Sequence, residues 1–190
     1  MILKKFFLLP LCLVYLNACS ISGGAIPQDH FYRLPTIETA SYVQQKNIIV
    51  KPVRVDGLYH ERSMLYVNQN EPLEIKRYSY HYWVETPASL ILKSLTAYLS
   101  ANKQADLNTA NIELLPGLLN FERLVSLGKA EAYIKLHIEV NHLNHPEKSF
   151  TKTYEARIAA SSMNMYDTVS AFGKALDEIA KVLVSDLSGV

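Results

Sequence analysis

Four groups of residues could carry chemistry in this chain. One thiol, Cys19, directly follows the small residue Ala18 at the end of an apolar N-terminal run. Three imidazoles, His137, His142 and His145, crowd one stretch. His60-Glu61 and Asp167 offer an acid–base pair and an isolated carboxylate. Tyr78, Tyr80, Tyr82 and Trp83 form an aromatic run. Neither the histidines nor the acids complete a constellation. No carboxylate or thiol stands at a usual ligand spacing from the three histidines. His137 is read on the solvated face of a strand, with His142 and His145 at the turn beyond it. Asp167 opens a helix and is read as its cap. No G-x-S-x-G elbow, P-loop or H-E-x-x-H occurs. The expectation is a protein that is not an enzyme, with no catalytic residue, metal ligand or cofactor.

The aromatic run is the surface of interest. Alternation predicts that Tyr78, Tyr80 and Tyr82 share one face of a strand, with Trp83 following. Two readings stand side by side. One is core packing with cross-strand pairs. The other is a partner-binding surface, since Tyr and Trp concentrate binding energy at interfaces.

The first residues read as a targeting segment. Lys4 and Lys5 precede an apolar run from Phe6 to Tyr15, broken only by Pro10. That run is roughly ten residues, and a spanning helix needs about 20. The tetrad Leu16-Asn17-Ala18-Cys19 resembles the bacterial lipobox. The resemblance implies cleavage between Ala18 and Cys19, diacylglycerol in thioether linkage on Cys19, and acylation of the new amine. Several acyl chains on one residue make a stable anchor, at about 0.8 kcal/mol per buried methylene. Ser20, in place of an aspartate, implies the periplasmic face of the outer membrane, with the inner membrane as the alternative.

The expected organisation is a signal peptide at 1–18, a lipidated cysteine with a flexible tether at 19–30, and one domain at 31–190. Removing 18 residues from 190 leaves 172, ample for one core. Cleavage takes Lys4 and Lys5 and no acid, so 19 basic and 18 acidic residues become a net charge of −1. No basic face points to nucleic acid. With Cys12 removed and Cys19 lipidated, no disulfide forms within one mature chain, and packing alone must hold the fold. Gly23, Gly24 and Pro27 mark the tether, whose reach is on the order of 20 Å.

The elements that would position the aromatic run follow from periodicity. Strands are predicted at 31–34, 47–53, 63–68 and 73–82. Thr86 caps a helix with Pro87 at its first position, and Ala88, Ile91, Leu92, Leu95, Tyr98 and Leu99 form its apolar stripe until Asn102. The stretch 111–119, broken at Pro116-Gly117, reads as two short strands or one bulged strand. From 130 to 140, Ala130, Ala132, Ile134, Leu136, Ile138 and Val140 alternate with polar residues, which predicts a strand with one face buried. Phe150, Tyr154, Ala156 and Ile158 form its antiparallel partner. A helix over 165–187 carries Met165, Val169, Phe172, Leu176, Ile179, Leu183 and Leu187 on one stripe. The fold class is therefore α+β: a mainly antiparallel or mixed sheet with two amphipathic helices packed on one face.

The order of several segments resembles the ABC-type transport auxiliary lipoproteins, including the paraquat-inducible protein C branch. The segments are Phe31-Tyr32-Arg33-Leu34; Ile48-Ile49-Val50-Lys51-Pro52-Val53 with Gly57-Leu58-Tyr59-His60-Glu61-Arg62; Trp83-Val84-Glu85-Thr86-Pro87; and Asn120-Phe121-Glu122 ahead of the long alternating strand. The similarity spans about 31–187. His60-Glu61-Arg62 replaces the usual Asp-Arg pair, and Thr86 interrupts the Glu-Pro pair. The resemblance implies a docking subunit of a trans-envelope lipid transport system, with a periplasmic mammalian-cell-entry (MCE) domain protein and an ABC permease as partners. The residues themselves leave open a lipid-binding carrier, a regulator of a cell-wall synthesis enzyme, and a homo-oligomer.

Overall fold

The computed structural model describes residues 27–35, 47–99 and 110–188. The readings of Ala18, Cys19, the tether before residue 27 and the helix end at Asn102 lie outside them. Seven strands form one mixed sheet: β1 (His30–Tyr32), β2 (Ile48–Val50), β3 (Ser63–Asn68), β4 (Ile75–Trp83), β5 (Ile112–Ser126), β6 (Lys129–His142) and β7 (Phe150–Ala159). Among the described residues two helices, α1 (Pro87–Tyr98) and α2 (Met165–Ser188), pack against it. The fold is α+β, as the sequence predicts.

The strand order is β1-β4-β3-β5-β6-β7, with β2 also paired to β5. β5, β6 and β7 form an antiparallel meander, and β3 and β4 a hairpin. The remaining pairs, β1 with β4, β2 with β5 and β3 with β5, are parallel. β2 and β3 therefore share one edge of β5. Ile48 to Val50 lie beside Ile112 to Leu114, and Tyr66 to Asn68 lie beside Arg123 to Val125. Between them the chain leaves the sheet for a 3-10 turn at Gly57–His60.

β5 corrects the expected 111–119 segment. It runs unbroken through Pro116 and Gly117, with a bulge at Leu119 between the pairs of Leu118 and Asn120. Pro116 is tolerated because the neighbouring ladder is itself interrupted there. Lys51 N–H donates to Leu114 O and Arg54 N–H to Pro116 O. Pro52 between them and Pro116 both lack a donor. The bulge inserts one residue and returns the alternation to register, so Phe121 still faces the core. The β5–β6 hairpin turns through Gly128, whose φ of 68° suits a residue without Cβ.

The core lies between sheet and helices. Ala132, Ile134, Leu136, Ile138 and Val140 of β6 meet Val169, Phe172, Leu176, Ile179, Leu183 and Leu187 of α2, all buried. Ala171, Ala175 and Ala180 let the helix approach closely. Gly173 lies so near Pro35 that a Cβ there would come within 2.9 Å of the ring. α1 begins as predicted: Thr86 Oγ1 accepts from Ser89 N–H at 3.3 Å, and Pro87 occupies the first turn. Leu90 joins its buried stripe, while Ala88 and Leu92 are only half-buried. At α2 the cap is Asn164 and not Asp167. Asn164 Oδ1 accepts from Asp167 N–H at 2.8 Å, and Asp167 receives the Asn164 amide at 3.3 Å. The three-residue spacing of a capping box puts Asp167 one turn inside.

Candidate interaction surface

The aromatic run does not stay on one face. Ser63 pairs with Tyr82 and Leu65 with Arg77, so β4 spends five residues where β3 spends two. The three extra residues turn Tyr78 and Tyr82 into different surroundings. Tyr78 packs on Tyr66 with ring centroids 4.5 Å apart and meets His81 edge-on at 5.5 Å. Tyr82 instead stacks on Phe31 of β1 at 5.6 Å, and its hydroxyl donates to Ser79 O at 2.7 Å. Trp83 is 1% exposed. Its ring meets Phe121 and Phe172 edge-on, each at 5.3 Å, and those two stack at 4.6 Å. Trp83 is thus a centre of the core, and the sequence reading of it as a surface contact is corrected. The alternation argument fails for Tyr78 for the same reason: the bulge resets the pleat before Tyr82.

A smaller aromatic surface remains. Phe31 is 54% exposed and Tyr80 43%. With the half-buried Tyr82 they lie where β1 and β4 pair, and the Arg62 guanidinium sits 5.9 Å over the Phe31 ring. Phe31 and Arg62 carry no sequence signal that marks them for this surface. Phe31 was legible only as strand, because its exposure depends on β1 being a three-residue edge.

Behind this surface lies a buried cation. Arg123 is 5% exposed and meets no carboxylate among the described residues. Nη1 donates to Tyr78 Oη at 2.6 Å and Nη2 to Met163 O at 2.5 Å, while Nε has no hydrogen-bond partner among the described residues. The guanidinium lies 5.7 Å from the Tyr78 ring. Nearby, His81 stacks on His30 at 5.2 Å, and its Nδ1 pairs with Tyr32 Oη at 2.9 Å. Burial first, then the His30 and Arg123 charges, hold the His81 imidazole below the usual histidine range.

A second buried polar group sits beside the β5 bulge. Glu122 is buried, accepts from the Tyr59 hydroxyl, and receives Asn120 Nδ2 at 3.2 Å. Burial and the Glu122 carboxylate push the Tyr59 phenol well above its ordinary range.

The histidines do not gather. His137 bonds Thr153 at 3.1 Å, and His145 faces Glu147 at 3.3 Å. His142 is the last residue of β6 and is buried, not on a turn as expected, because β6 runs two residues past Val140. Among the described residues no three His, Cys, Asp or Glu side chains converge as metal ligands. Nor is any described helix long and apolar enough to cross a membrane. A groove of about 490 Å³ lies between the end of β1 and α1, floored by Leu34, Pro35, Val84 and Leu90 with Arg33 and Lys93 at its rim. Lys93 is ion-paired there with Glu85 at 2.6 Å.

Comparison with known proteins gives the fold. The chain is similar to the crystal structure of protein XCC0632 from Xanthomonas campestris, a DUF330 protein, with a TM-score of 0.69. Identity is 17%, over 84% of this chain and 96% of that one. A second crystal structure, of a protein described only as uncharacterized, matches with a TM-score of 0.69 at 12% identity, over 85% and 99%. At these identities the likeness is one of fold. No family model and no curated protein matches the sequence.

Proposed function

We propose that this chain is a lipid-anchored lipoprotein of the bacterial envelope that acts by docking, as an auxiliary subunit of an ABC-type, MCE-linked lipid transport system. The observation that carries the docking reading is the exposed aromatic strip of Phe31, Tyr80 and Tyr82. It lies at the point where the chain coming from Cys19 enters the sheet, so a partner bound there meets the domain close to its anchor. Rigid aromatic side chains on strands bind at low entropic cost. The resemblance of the ordered segments to transport auxiliary lipoproteins supplies the class of partner, an MCE-domain protein with an ABC permease. In this reading the domain itself catalyses nothing, and the outer membrane is its site.

Affinity purification of the tagged full chain from mild-detergent membranes, read by mass spectrometry, tests the reading. Recovery of an MCE-domain protein or an ABC permease is expected, and Phe31→Ala/Tyr80→Ala/Tyr82→Ala should abolish it with the fold intact. Undiminished recovery by the triple variant would remove the strip from the docking role. Replacement of Cys19 by Ala should release the chain from membranes, because the acyl chains hold it there. The groove beside α1 favours one other reading, a carrier for an acyl chain with an anionic head, since apolar walls meet Arg33 at its mouth, beside the Lys93–Glu85 ion pair. Stoichiometric lipid in the gently purified protein, without a protein partner, would select it.

A further inference from the structure

The two ends of the sheet are finished differently. β1 ends one side with three residues, too short to template another strand. β7 ends the other with ten residues, and among the described residues it pairs only with β6. Its register is unbroken from Val140 opposite Phe150 to Glu131 opposite Ala159. It contains no proline and no bulge to blunt the edge, and its charges are Lys152, held by Asp186, with Glu155 and Arg157.

The hydrogen bonds fix which groups face outward. Ala160 N–H donates to Ala130 O at 2.8 Å. In an antiparallel ladder, bonded and non-bonded pairs alternate. Even-numbered residues of β7 therefore bond β6, and Thr151, Thr153, Glu155, Arg157 and Ala159 direct N–H and C=O at the free edge. The same five side chains share the sheet face away from α2, while Tyr154 and Ala156 are buried beneath it.

We propose that two copies of this chain pair through β7, antiparallel about a two-fold axis at Ala156, to make one continuous sheet. Two-fold pairing must place core-face residues opposite core-face residues, so only alternate registers are open. Centring the axis on Glu155 or Arg157 sets like charges face to face. Centring it on Thr153 leaves both charges unpaired with each other. Centring it on Ala156 sets each Glu155 opposite the second copy's Arg157, Tyr154 opposite Ile158, and Thr153 opposite Ala159. That register matches charge with charge and apolar with apolar. It also forms about eight main-chain hydrogen bonds from the free groups of 153–159. Both charges are already held over one surface. Glu155 accepts from Tyr133 Oη at 3.3 Å and lies 3.4 Å from Lys135, and the Arg157 guanidinium sits 4.5 Å from the Tyr133 ring centroid. Anchoring two copies in one membrane would favour the pairing by raising their effective concentration. The inference is independent of the transport reading.

Charge exchange in the full chain, followed by sedimentation velocity in detergent over a concentration series, tests the register. Wild type should sediment as a dimer. Glu155→Arg alone and Arg157→Glu alone should each weaken dimerisation by about tenfold or more, as like charges face each other. The double variant Glu155→Arg/Arg157→Glu should regain the wild-type dimer, because the pair is restored with its sense reversed. Thr153→Cys/Ala159→Cys should be joined between copies by a short bifunctional thiol reagent well above the wild-type level, and neither single variant should be. Circular dichroism melts keep unfolding distinct from dissociation. A monomeric wild type, a dimer indifferent to the single exchanges, or a double variant that stays dissociated would each overturn the proposal.

Discussion

Replacing Trp83 by alanine separates the core half of the aromatic run from its surface half. The indole is almost wholly buried and touches both Phe121 and Phe172 edge-on. Those two rings stack on each other across the sheet–helix boundary, one from β5 and one from α2. Removing the indole takes away a large apolar area and opens a cavity that two stacked rings cannot close without moving a strand and a helix. Truncations of this kind cost about 3–5 kcal/mol. For a domain of this length each kcal/mol lowers Tm by about 2–4 °C, so the expected fall is about 6–20 °C. Far-UV circular dichroism measures it in both proteins. In wild type, Trp83 is the sole tryptophan, so its fluorescence reports the same transition from inside the core. Tyr80→Ala, at an exposed position on the same strand, should stay within about 0.5 kcal/mol of wild type. Equal losses from the two substitutions, or a Trp83→Ala fall below about 2 °C, would refute the division of the strand into core and surface.

Acidification should destabilise the β1–β4 end of the sheet. The His81 pKa is depressed in the folded state, so its contribution is fully present above the unfolded histidine value of about 6.5 and is lost as pH falls through the folded one. Urea titrations between pH 7 and 5 should show stability falling, with His81 contributing no more than about 1.4 kcal/mol per pH unit, and His81→Gln should flatten the slope. Tyr59→Phe removes a hydroxyl that Glu122 depends on and leaves Asn120 as its remaining side-chain donor, which should cost about 1–3 kcal/mol by thermal melt. Asp186→Ala removes the acceptor of Tyr154 Oη at 2.8 Å and Lys152 Nζ at 2.7 Å, which ties α2 to β7. A loss of about 1 kcal/mol is expected, with hydrogen exchange rising first at the end of α2.

Much of the architecture is legible from local pattern. Thr86-Pro87 marks the start of α1, β3 is found at its predicted bounds, and the period-two run of β6 and the long stripe of α2 define the core faces. What is not legible depends on contacts between distant residues. The three extra residues of β4 have no local signature, so Tyr78 and Tyr82 read as one face until β3 is laid beside them. Phe121-Glu122-Arg123-Leu124 carries two charges and lies beyond the strand predicted to 119, yet all four residues are buried. Glu122 is kept inside by Tyr59, and Arg123 by Tyr78 and the Met163 carbonyl, from elements remote in sequence. Parallel partners are hidden for the same reason, since nothing near Ile48 names Ile112. Tyr133 sits on the face expected to be solvated, but Val67, Leu124 and Arg157 cover it.

The shared edge of β5 has a consequence for how the chain reaches its structure. β2 and β3 both lie upstream in sequence, and both hydrogen-bond to a strand that begins only at Ile112. β4 and β1 depend on β3 in turn. Within the described residues before β5, only the β3–β4 hairpin and α1 are local, whereas β5, β6, β7 and α2 are joined by short connections and assemble locally. Closing the long loops to β2 and β3 comes later and more slowly, because its entropy is lost before any contact rewards it. The C-terminal strands and α2 are in this sense a template on which β2 and β3 complete the sheet.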